Sequence, residues 1–320
     1  MDFQYLYRTL APDLTIIEKK LSEVLYTESP LLRESSLHYL KAGGKRIRPI
    51  LVLLSAKFGN DGDGRVIDTA VAMELIHMAS LIHDDIIDNA ETRRGKPTVK
   101  AKWDNKIAVY TGDFILARSL ELITKIPDVT AHRILSKTMV ELSLGEIEQI
   151  RDRFNFQQTV TAYLRRIKRK TALLIAACCQ LGAIAAGCER KIHQQLYWFG
   201  YFAGMGFQIT DDILDFTGTP EELGKPAGED LYSGTITLPS LFALRNPDLR
   251  QEILQVQEGM DPEHFQKILA DIRKSDAIGC ARKVADWYLE KSLSVLSRLP
   301  DNEIKPMLET VVHFIGRRNH

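Results

Sequence analysis

The chain has 320 residues, of which 45% are hydrophobic and 26% are charged, a balance that excludes a disordered or fibrous protein. Lysine plus arginine and aspartate plus glutamate both number 42, so no net charge favours nucleic acid as a partner. The four cysteines form no C-x-x-C pair and no zinc-binding pattern, which fits a reducing cytoplasm. The N-terminal sequence shows no secretory signal.

Helical periodicity dominates the chain, and no segment alternates as a half-buried strand does. Gly43 and Gly44 mark a helix stop, and 218–234 is predicted to be a polar loop. No linker separates two cores, so we predict one all-α domain over residues 1–320. Three or four helices are expected after residue 234, and the earlier ones are predicted over 14–25, 37–40, 50–58, 66–89, 104–124, 130–152, 158–188 and 192–216.

The stretch 171–188 is uncharged and follows a basic segment, which meets the minimal criteria for a membrane span. Its composition favours another interpretation, because it is rich in Ala, Gly and Cys and carries Gln180 at its centre. A helix that is packed on all sides inside a large bundle is also hydrophobic all round. We therefore predict a buried core helix.

Two D-D-x-x-D motifs lie in strongly apolar runs that are predicted to be helical. In each motif the first and last aspartates share one helix face. Buried carboxylates are costly unless something compensates them, and Mg²⁺ ions that bridge to a diphosphate would do so. The alternative is a solvated helix face. The aspartates are Asp84, Asp85 and Asp88 in the first motif and Asp211, Asp212 and Asp215 in the second.

Cationic segments accompany the carboxylates at 43–49, Arg93-Arg94, 168–171 and Lys225. Each alone is typical of surface charge. The glycines of the first segment let the backbone and Lys45 approach an anion closely. Two anionic substrates would explain why the chain has both carboxylate motifs and cationic segments. One substrate would be bound through metal ions and the other directly by lysine and arginine.

The ordered motifs resemble those of the trans-polyprenyl diphosphate synthases over nearly the whole chain. They are G-G-K-x-x-R-P, H-x-x-S-L-I-H-D-D-x-x-D, R-R-G-x-P, K-T, F-Q-x-x-D-D-x-x-D and G-K-x-x-G-x-D. The stretches 96–112 and 144–149 are similar to the catalytic subunits of two-component bacterial members. The resemblance implies a single large helical bundle of the isoprenoid synthase type with a central cavity.

The resemblance also implies an activity: successive trans condensations of farnesyl diphosphate with isopentenyl diphosphate. The expected product is heptaprenyl diphosphate for the menaquinone side chain, with hexaprenyl or another length as the alternative. Two or three Mg²⁺ ions per active site are implied. So is a smaller non-catalytic subunit in a heterodimer, with a homodimer as the alternative, and at most peripheral membrane contact.

The resemblance assigns roles to individual residues. Asp84, Asp85, Asp88, Asp211 and Asp215 would bind Mg²⁺, with Asp212 nearby. Arg93, Lys170 and Lys225 would contact the allylic diphosphate. Isopentenyl diphosphate would lie against Lys45, Arg48, His77 and Arg94. Thr171 and Gln208 would turn oxygen dipoles toward the allylic carbon. The chain departs from the family at Thr235, where many members carry lysine.

The growing tail is expected to run back along the first aspartate helix, past Ser80, Ala79 and Ile76. In short-chain relatives an aromatic residue four or five positions before the first aspartate closes this path. Ser80 and Ala79 are small, which predicts long products, although close helix packing would also explain them. Two other functions stay open: a terpene cyclase, which has no second diphosphate to bind, and a non-catalytic prenyl-binding subunit.

Overall fold

Helices account for nearly all the regular structure in the residues that the computed structural model describes, which are 2–60, 64–219 and 226–316. The exception among them is a short antiparallel pair, β1 (Thr92–Arg93) and β2 (Lys96–Pro97). The helices up to the second aspartate motif are α1 (Phe3–Val24), α2 (Pro30–Leu40), α3 (Ile47–Ala56), α4 (Arg65–Ile87), α5 (Val99–Lys102), α6 (Asn105–Ile123), α7 (Val129–Arg151), α8 (Val160–Ile167), α9 (Leu173–Ala185) and α10 (Arg190–Thr217). They are followed by α11 (Glu229–Tyr232), α12 (Leu238–Ala243), α13 (Pro247–Ile253), α14 (Pro262–Lys274), α15 (Ala277–Leu296) and α16 (Lys305–Gly316).

The all-α prediction is confirmed. The helices predicted over 66–89, 104–124, 130–152 and 192–216 are present within two residues at each end. The start of α2 is wrong by seven residues, and five helices rather than three or four follow residue 234 in the described part of the chain. The start of α1 is wrong by eleven residues, since Asp2 caps it by accepting from the Tyr5 N–H and Pro12 lies inside it. Pro30 begins α2 at its first position, where proline needs no hydrogen-bond partner. The helix predicted over 158–188 is interrupted by a π-helical turn, Lys168–Ala172.

The chain divides into two compact units. Unit 1 comprises Met1–Ile134, Cys178–Leu196 and Asp301–Leu308, and unit 2 comprises Leu135–Ala177, Tyr197–Pro300 and Glu309–His320. Four of the five boundary positions fall inside α7, α9, α10 and α16, and the fifth, between Pro300 and Asp301, lies between α15 and α16. The first aspartate motif belongs to unit 1 and the second to unit 2. The expectation of one domain over 1–320 stays a prediction.

In unit 1, Arg46 is the N-cap residue of α3 and connects that helix to α1 and α4 through its guanidinium group. It forms ion pairs with Glu18 of α1 and, at 3.0 Å, with Glu74 of α4, and it is 8% exposed. Removing one partner of such a buried pair costs several kcal/mol, typically about 3–5. Arg46 therefore fixes the backbone that carries Lys45 and Arg48 on either side of it.

In unit 2, one hydrophobic core gathers α8, α10 and the helices that follow. Tyr163, Ile209, Ile213 and Phe216 are fully buried in it. The aspartates of the second motif thus alternate with core residues along α10. Their side chains are positioned by a well-packed helix rather than by a loop.

The segment 171–188 is buried from Thr171 to Ala186, as predicted for a core helix. The helix in the described part of the chain that is long and apolar enough to cross a membrane is instead α4. Most of its apolar window, 72%, is buried inside the protein. A core helix passes the same test, so the window carries no further conclusion.

Candidate active site

The first aspartate motif lies at the C-terminal end of α4. Asp84 and Asp85 occupy its last turn, and Asp88 is the C-cap residue, one position beyond the helix. A helix C-terminus carries partial negative charge, which disfavours three carboxylates there. The motif therefore needs nearby cations.

Arg93 supplies one of these cations. Its Nε and Nη2 atoms both lie 2.7 Å from Asp85 Oδ1. Asp85 is 1% exposed, and its Oδ2 atom has no hydrogen-bond partner among the described residues. Burial raises the pKa of Asp85 in spite of the Arg93 charge. The carboxylate is therefore only half satisfied, and a cation at Oδ2 would complete its coordination.

The hairpin of β1 and β2 presents the next arginine. Arg94 and Gly95 form its two-residue turn, and both have positive φ, 53° and 72°. The Arg94 guanidinium lies against Gly44, where an added Cβ would be 2.7 Å from Nη1. The positive φ of Gly44, 154°, favours glycine at this position, whereas the contact itself is with the flexible end of the Arg94 side chain. The contact joins two motifs that are 50 residues apart in the sequence.

His77 lies beside this cationic cluster on α4. Burial lowers the pKa of His77 well below its ordinary value, and the charges of Arg48, Arg94, Arg93 and Arg46 lower it further. The imidazole is therefore neutral at neutral pH. Lys45 is exposed on the segment 43–49, which also carries Arg48. Its carbonyl oxygen accepts a hydrogen bond from the Tyr7 hydroxyl. Unit 1 thus brings together the residues predicted to bind isopentenyl diphosphate.

The second aspartate motif, on α10, has different surroundings. Asp211 is half-buried, whereas Asp212 and Asp215 are each 3% exposed. Asp215 Oδ2 accepts from the Asp230 N–H at 3.2 Å, so it anchors the first turn of α11. Burial, and to a smaller extent the charge of Asp230, raises the pKa of Asp212 to about 8.

Asp212 belongs to a chain of hydrogen bonds. The Tyr163 hydroxyl donates to Asp212 Oδ2 at 2.5 Å, and Gln208 Nε2 donates to Oδ1 at 2.9 Å. Gln208 Oε1 in turn accepts from the Thr171 hydroxyl at 2.6 Å. Gly204 allows α10 to approach the π-helical turn this closely, because a Cβ at position 204 would lie 2.7 Å from Ala172 Cα.

The π-helical turn presents Lys170 and Thr171. Single π-turns inside helices occur frequently at functional sites. Lys170 Nζ lies 2.8 Å from Glu146 Oε2 on α7, and Arg169 pairs with Glu141 and Glu148. The predicted diphosphate ligand Lys170 is thus held by a carboxylate, as Arg93 is.

The remaining predicted positions are Lys225, Thr235 and the residues of α4 along the expected path of the tail. Lys225 lies outside the described residues. Thr235 donates its N–H to the Asp230 carbonyl at 2.7 Å, so it contacts the residue of α11 whose N–H Asp215 accepts. Along α4, Ile76 and Ala79 are buried and Ser80 is half-buried. The central cavity and the path of the tail past these residues stay predictions.

Sequence reasoning missed Tyr39, Arg46, Glu146 and Tyr163. Tyr39 is 4% exposed, and burial raises the pKa of its hydroxyl, which lies within the field of Arg93, Asp85 and Arg94. These residues carry no local sequence signal, since each acts through a partner far along the chain.

The carboxylates suit a hard divalent cation by their chemistry. Oxygen donors are the ligands that Mg²⁺ prefers, and the partnerless Oδ2 atom of Asp85 is a suitable ligand atom. As the side chains stand, the described residues contain no group of three or more His, Cys, Asp or Glu side chains that could hold a metal. The residues fit the ion as donors, and the number of ions and their ligands stay predictions.

Comparisons with known proteins agree over nearly the full length. The family model "Polyprenyl synthetase" matches residues 29–272. Heptaprenyl diphosphate synthase component 2 of Bacillus subtilis is 53% identical over 318 residues, covering 99% of this chain and 91% of that protein. Component 2 of Geobacillus stearothermophilus is 50% identical over 320 residues, covering 100% of each. The crystal structure of heptaprenyl diphosphate synthase from Staphylococcus aureus matches with a TM-score of 0.94 at 42% identity, covering 97% of this chain and 99% of that chain.

Proposed function

We propose that this chain, which belongs to the polyprenyl synthetase family and is a chain-elongating trans-prenyltransferase, makes heptaprenyl diphosphate from farnesyl and isopentenyl diphosphates. The fold is the all-α fold of the isoprenoid synthases. The names of three relatives support the seven-unit product. One observation in the structure carries the proposal: a half-satisfied buried carboxylate, Asp85, adjoins a cluster of arginines that includes Arg93 and Arg94.

Members of this family generally use Mg²⁺. We assign two or three ions to the carboxylates of the two motifs. When bound, they supply the positive charge that stabilises a departing diphosphate. The ligands in this assignment are Asp84, Asp85, Asp88, Asp211 and Asp215.

The cationic residues divide between two substrates in this proposal. Arg93, Lys170 and Lys225 donate hydrogen bonds to the allylic diphosphate, Arg93 after leaving Asp85 and Lys170 after leaving Glu146. Lys45, Arg48 and Arg94 bind isopentenyl diphosphate by charge. His77 is neutral, so it donates a hydrogen bond to a phosphate oxygen rather than adding a full charge.

The reaction forms one carbon–carbon bond per cycle. The allylic C–O bond breaks, and the diphosphate leaves with the bonding electrons. The double bond of isopentenyl diphosphate attacks the allylic carbon, and a proton is then lost from the new unit. The Thr171 oxygen faces the developing positive charge, and Gln208 accepts the hydrogen bond of the Thr171 hydroxyl. Water must be excluded, because it would quench the cation.

A partner subunit follows from the names of the relatives. Both Bacillus subtilis and Geobacillus stearothermophilus proteins are called component 2, which implies a component 1. We propose that a smaller non-catalytic subunit pairs with this chain in the cytoplasm. The bound pair is the active form, and the chain alone is poorly active.

The test is a condensation assay with farnesyl and isopentenyl diphosphates. The purified chain is assayed alone, with component 1 of the Bacillus subtilis enzyme, and with EDTA in place of Mg²⁺, and product length is measured by mass spectrometry. We expect a seven-unit product that needs Mg²⁺ and component 1. A cyclic product, or none under any condition, would contradict the proposed function. Full turnover by the chain alone would contradict only the two-component assembly.

A further inference from the structure

Tyr163 is a fully buried residue of α8 whose hydroxyl group has a single described acceptor. Burial and the charge of Asp212 raise the pKa of Tyr163 well above its ordinary value. The phenol therefore keeps its proton and donates a hydrogen bond to Asp212 Oδ2. A tyrosine hydroxyl in such surroundings normally has a partner, and this one is 49 residues away in the sequence.

The direction of the hydrogen bonds follows from the donors and acceptors available. Gln208 Nε2 donates to Asp212 Oδ1, so the amide oxygen of Gln208 is left to accept from the Thr171 hydroxyl. The Thr171 hydroxyl then donates its only hydrogen to Gln208 Oε1. What remains on the Thr171 oxygen is lone pairs, which can face only positive charge or a donor.

We propose that Tyr163 and Asp212 are positioning residues for prenyl transfer, which hold Gln208 so that the Thr171 oxygen turns its lone pairs toward the allylic carbon. The inference rests on the proposed function, in which that carbon develops positive charge. It also assigns Asp212 a role different from that of Asp211. Both carboxylate oxygens of Asp212 are already occupied, by Tyr163 and by Gln208, within a buried site.

The primary test is Tyr163→Phe, which removes the hydroxyl group and keeps the ring. Tyr232→Phe is the matched control, because the Tyr232 hydroxyl also donates over a long sequence separation, to the Met260 carbonyl at 3.1 Å, in the same unit. Initial rates are measured with farnesyl and isopentenyl diphosphates in the presence of component 1. We expect kcat of Tyr163→Phe to fall about tenfold, with both KM values within about twofold of wild type, because a lost interaction in the transition state lowers kcat alone.

A double-mutant cycle separates positioning from general stabilisation. Thr171→Val removes the oxygen through which Tyr163 is proposed to act. We expect Tyr163→Phe/Thr171→Val to be no slower than Thr171→Val, because the two changes break one chain. Losses that multiply would show that Tyr163 acts independently of Thr171 and would overturn the proposal. Equal loss of activity in Tyr163→Phe and Tyr232→Phe would overturn it too.

A second variant keeps the proposal testable if Tyr163→Phe does not fold. Asp212→Asn preserves the shape of the side chain and changes the same link. We expect a lowered kcat with an unchanged Mg²⁺ concentration for half-maximal rate, whereas a lost metal ligand would raise that concentration. A raised Mg²⁺ requirement, or a wild-type kcat, would overturn the positioning role. Failure of the wild-type protein to make prenyl product would instead contradict the proposed function.

Discussion

The two aspartate motifs have the same sequence pattern and opposite ways of neutralising the middle carboxylate. In unit 1 Asp85 pairs with a charged guanidinium, that of Arg93, and retains one oxygen without a partner. In unit 2 Asp212 receives neutral donors, Tyr163 and Gln208, on both oxygens. The first arrangement leaves one carboxylate oxygen without a donor, whereas the second is complete in itself. A repeated motif therefore does not imply a repeated role for every position.

The last carboxylates differ as well. Asp88 is exposed just beyond the end of α4, while Asp215 is buried and fixes the backbone of Asp230. The first motif ends its helix, and the second lies within a helix that is embedded in a hydrophobic core. We expect changes in the first motif to affect ion and substrate binding most, and changes in the second to affect the folded state as well.

The largest loss of turnover is expected when an outer carboxylate of the first motif is removed. Asp84→Ala or Asp88→Ala should lower turnover about a thousandfold or more, because a lost ion removes several kcal/mol of charge stabilisation. The melting temperature without Mg²⁺ should stay the same or rise, since like charges at a helix C-terminus repel each other. The condensation assay measures turnover, and calorimetry with and without Mg²⁺ and pyrophosphate measures the melting temperature.

Asp113→Ala is the control for these variants, because Asp113 is a half-exposed carboxylate on α6 in the same unit and pairs with His83 at 3.3 Å. It should leave turnover near that of wild type. Near-normal activity of Asp84→Ala or Asp88→Ala would rule out the proposed metal ligands. Stabilisation by Mg²⁺ equal to that of wild type would do the same without reference to catalysis.

A neutral donor at position 93 would make the first motif resemble the second. Arg93→Gln should lower turnover about a hundredfold and destabilise the metal-free protein by about 1–3 kcal/mol, less than for a fully buried pair because Arg93 is partly exposed. Burial already raises the pKa of Asp85, and loss of the arginine raises it further. The stability deficit should therefore be small at low pH and grow as the pH rises through the folded-state pKa of Asp85.

The double variant Arg93→Gln/Asp85→Asn tests this explanation. An amide needs no counter-charge, so urea unfolding should show that most of the lost stability returns and that its pH dependence disappears. Continued instability in the double variant would mean that Arg93 stabilises the fold through contacts other than Asp85.

Much of the fold could be predicted because helical periodicity is local. The pattern over 192–216 predicts α10 closely, since each turn of the helix leaves its own mark on the sequence. The π-helical turn at Lys168–Ala172 leaves no such mark, because one additional residue in a turn hardly changes the periodicity. The early start of α1 was missed although Leu6 and Leu10, which are buried like Ile17 and Leu21, continue its apolar stripe toward the N-terminus.

The site shows the same division between local and distant causes. The motifs predict which carboxylates and cations are present, and the contact of Arg93 with Asp85 spans only eight positions. The partner of Asp212 is Tyr163, which is 49 positions away on another helix, and no residue near either one indicates the contact. The sequence therefore predicts the inventory of the site, whereas the state of each middle aspartate depends on tertiary packing.

Another difference between the motifs lies four residues before the first aspartate. The first motif has Ser80 there and the second has Phe207. Ser80→Phe or Ala79→Phe should shorten the product toward farnesyl or geranylgeranyl length, because one isoprene unit is about as long as one helical turn, roughly 5 Å. The products are separated by mass, with component 1 present and geranyl or farnesyl diphosphate as primer.

Overpacking at the buried Ala79 costs about 1–3 kcal/mol, so the thermal stability of both variants is measured alongside. Leu81→Phe, on the half-buried residue that follows Ser80, serves as the control and should keep the long product. Unchanged product length in both Ala79→Phe and Ser80→Phe would place the tail along another helix.

The smallest expected effect concerns His77, since the equivalent position of the second motif, seven residues before the first aspartate, is Gly204 and cannot titrate. The pKa of His77 is lowered in the folded protein by burial and by the charges of Arg48, Arg94, Arg93 and Arg46. Below about pH 6.5 an unfolded histidine takes up a proton that the folded one refuses. The free energy of unfolding is therefore at its full value above that pH and falls as the pH falls, by up to about 1.4 kcal/mol per pH unit.

His77→Gln should flatten the decline in urea-unfolding free energy between pH 6.5 and 5.5, and His264→Gln, in unit 2, serves as the control. Parallel curves for wild type and His77→Gln would show that the arginine cluster does not hold His77 neutral, and its proposed role as an uncharged donor to phosphate would then be wrong.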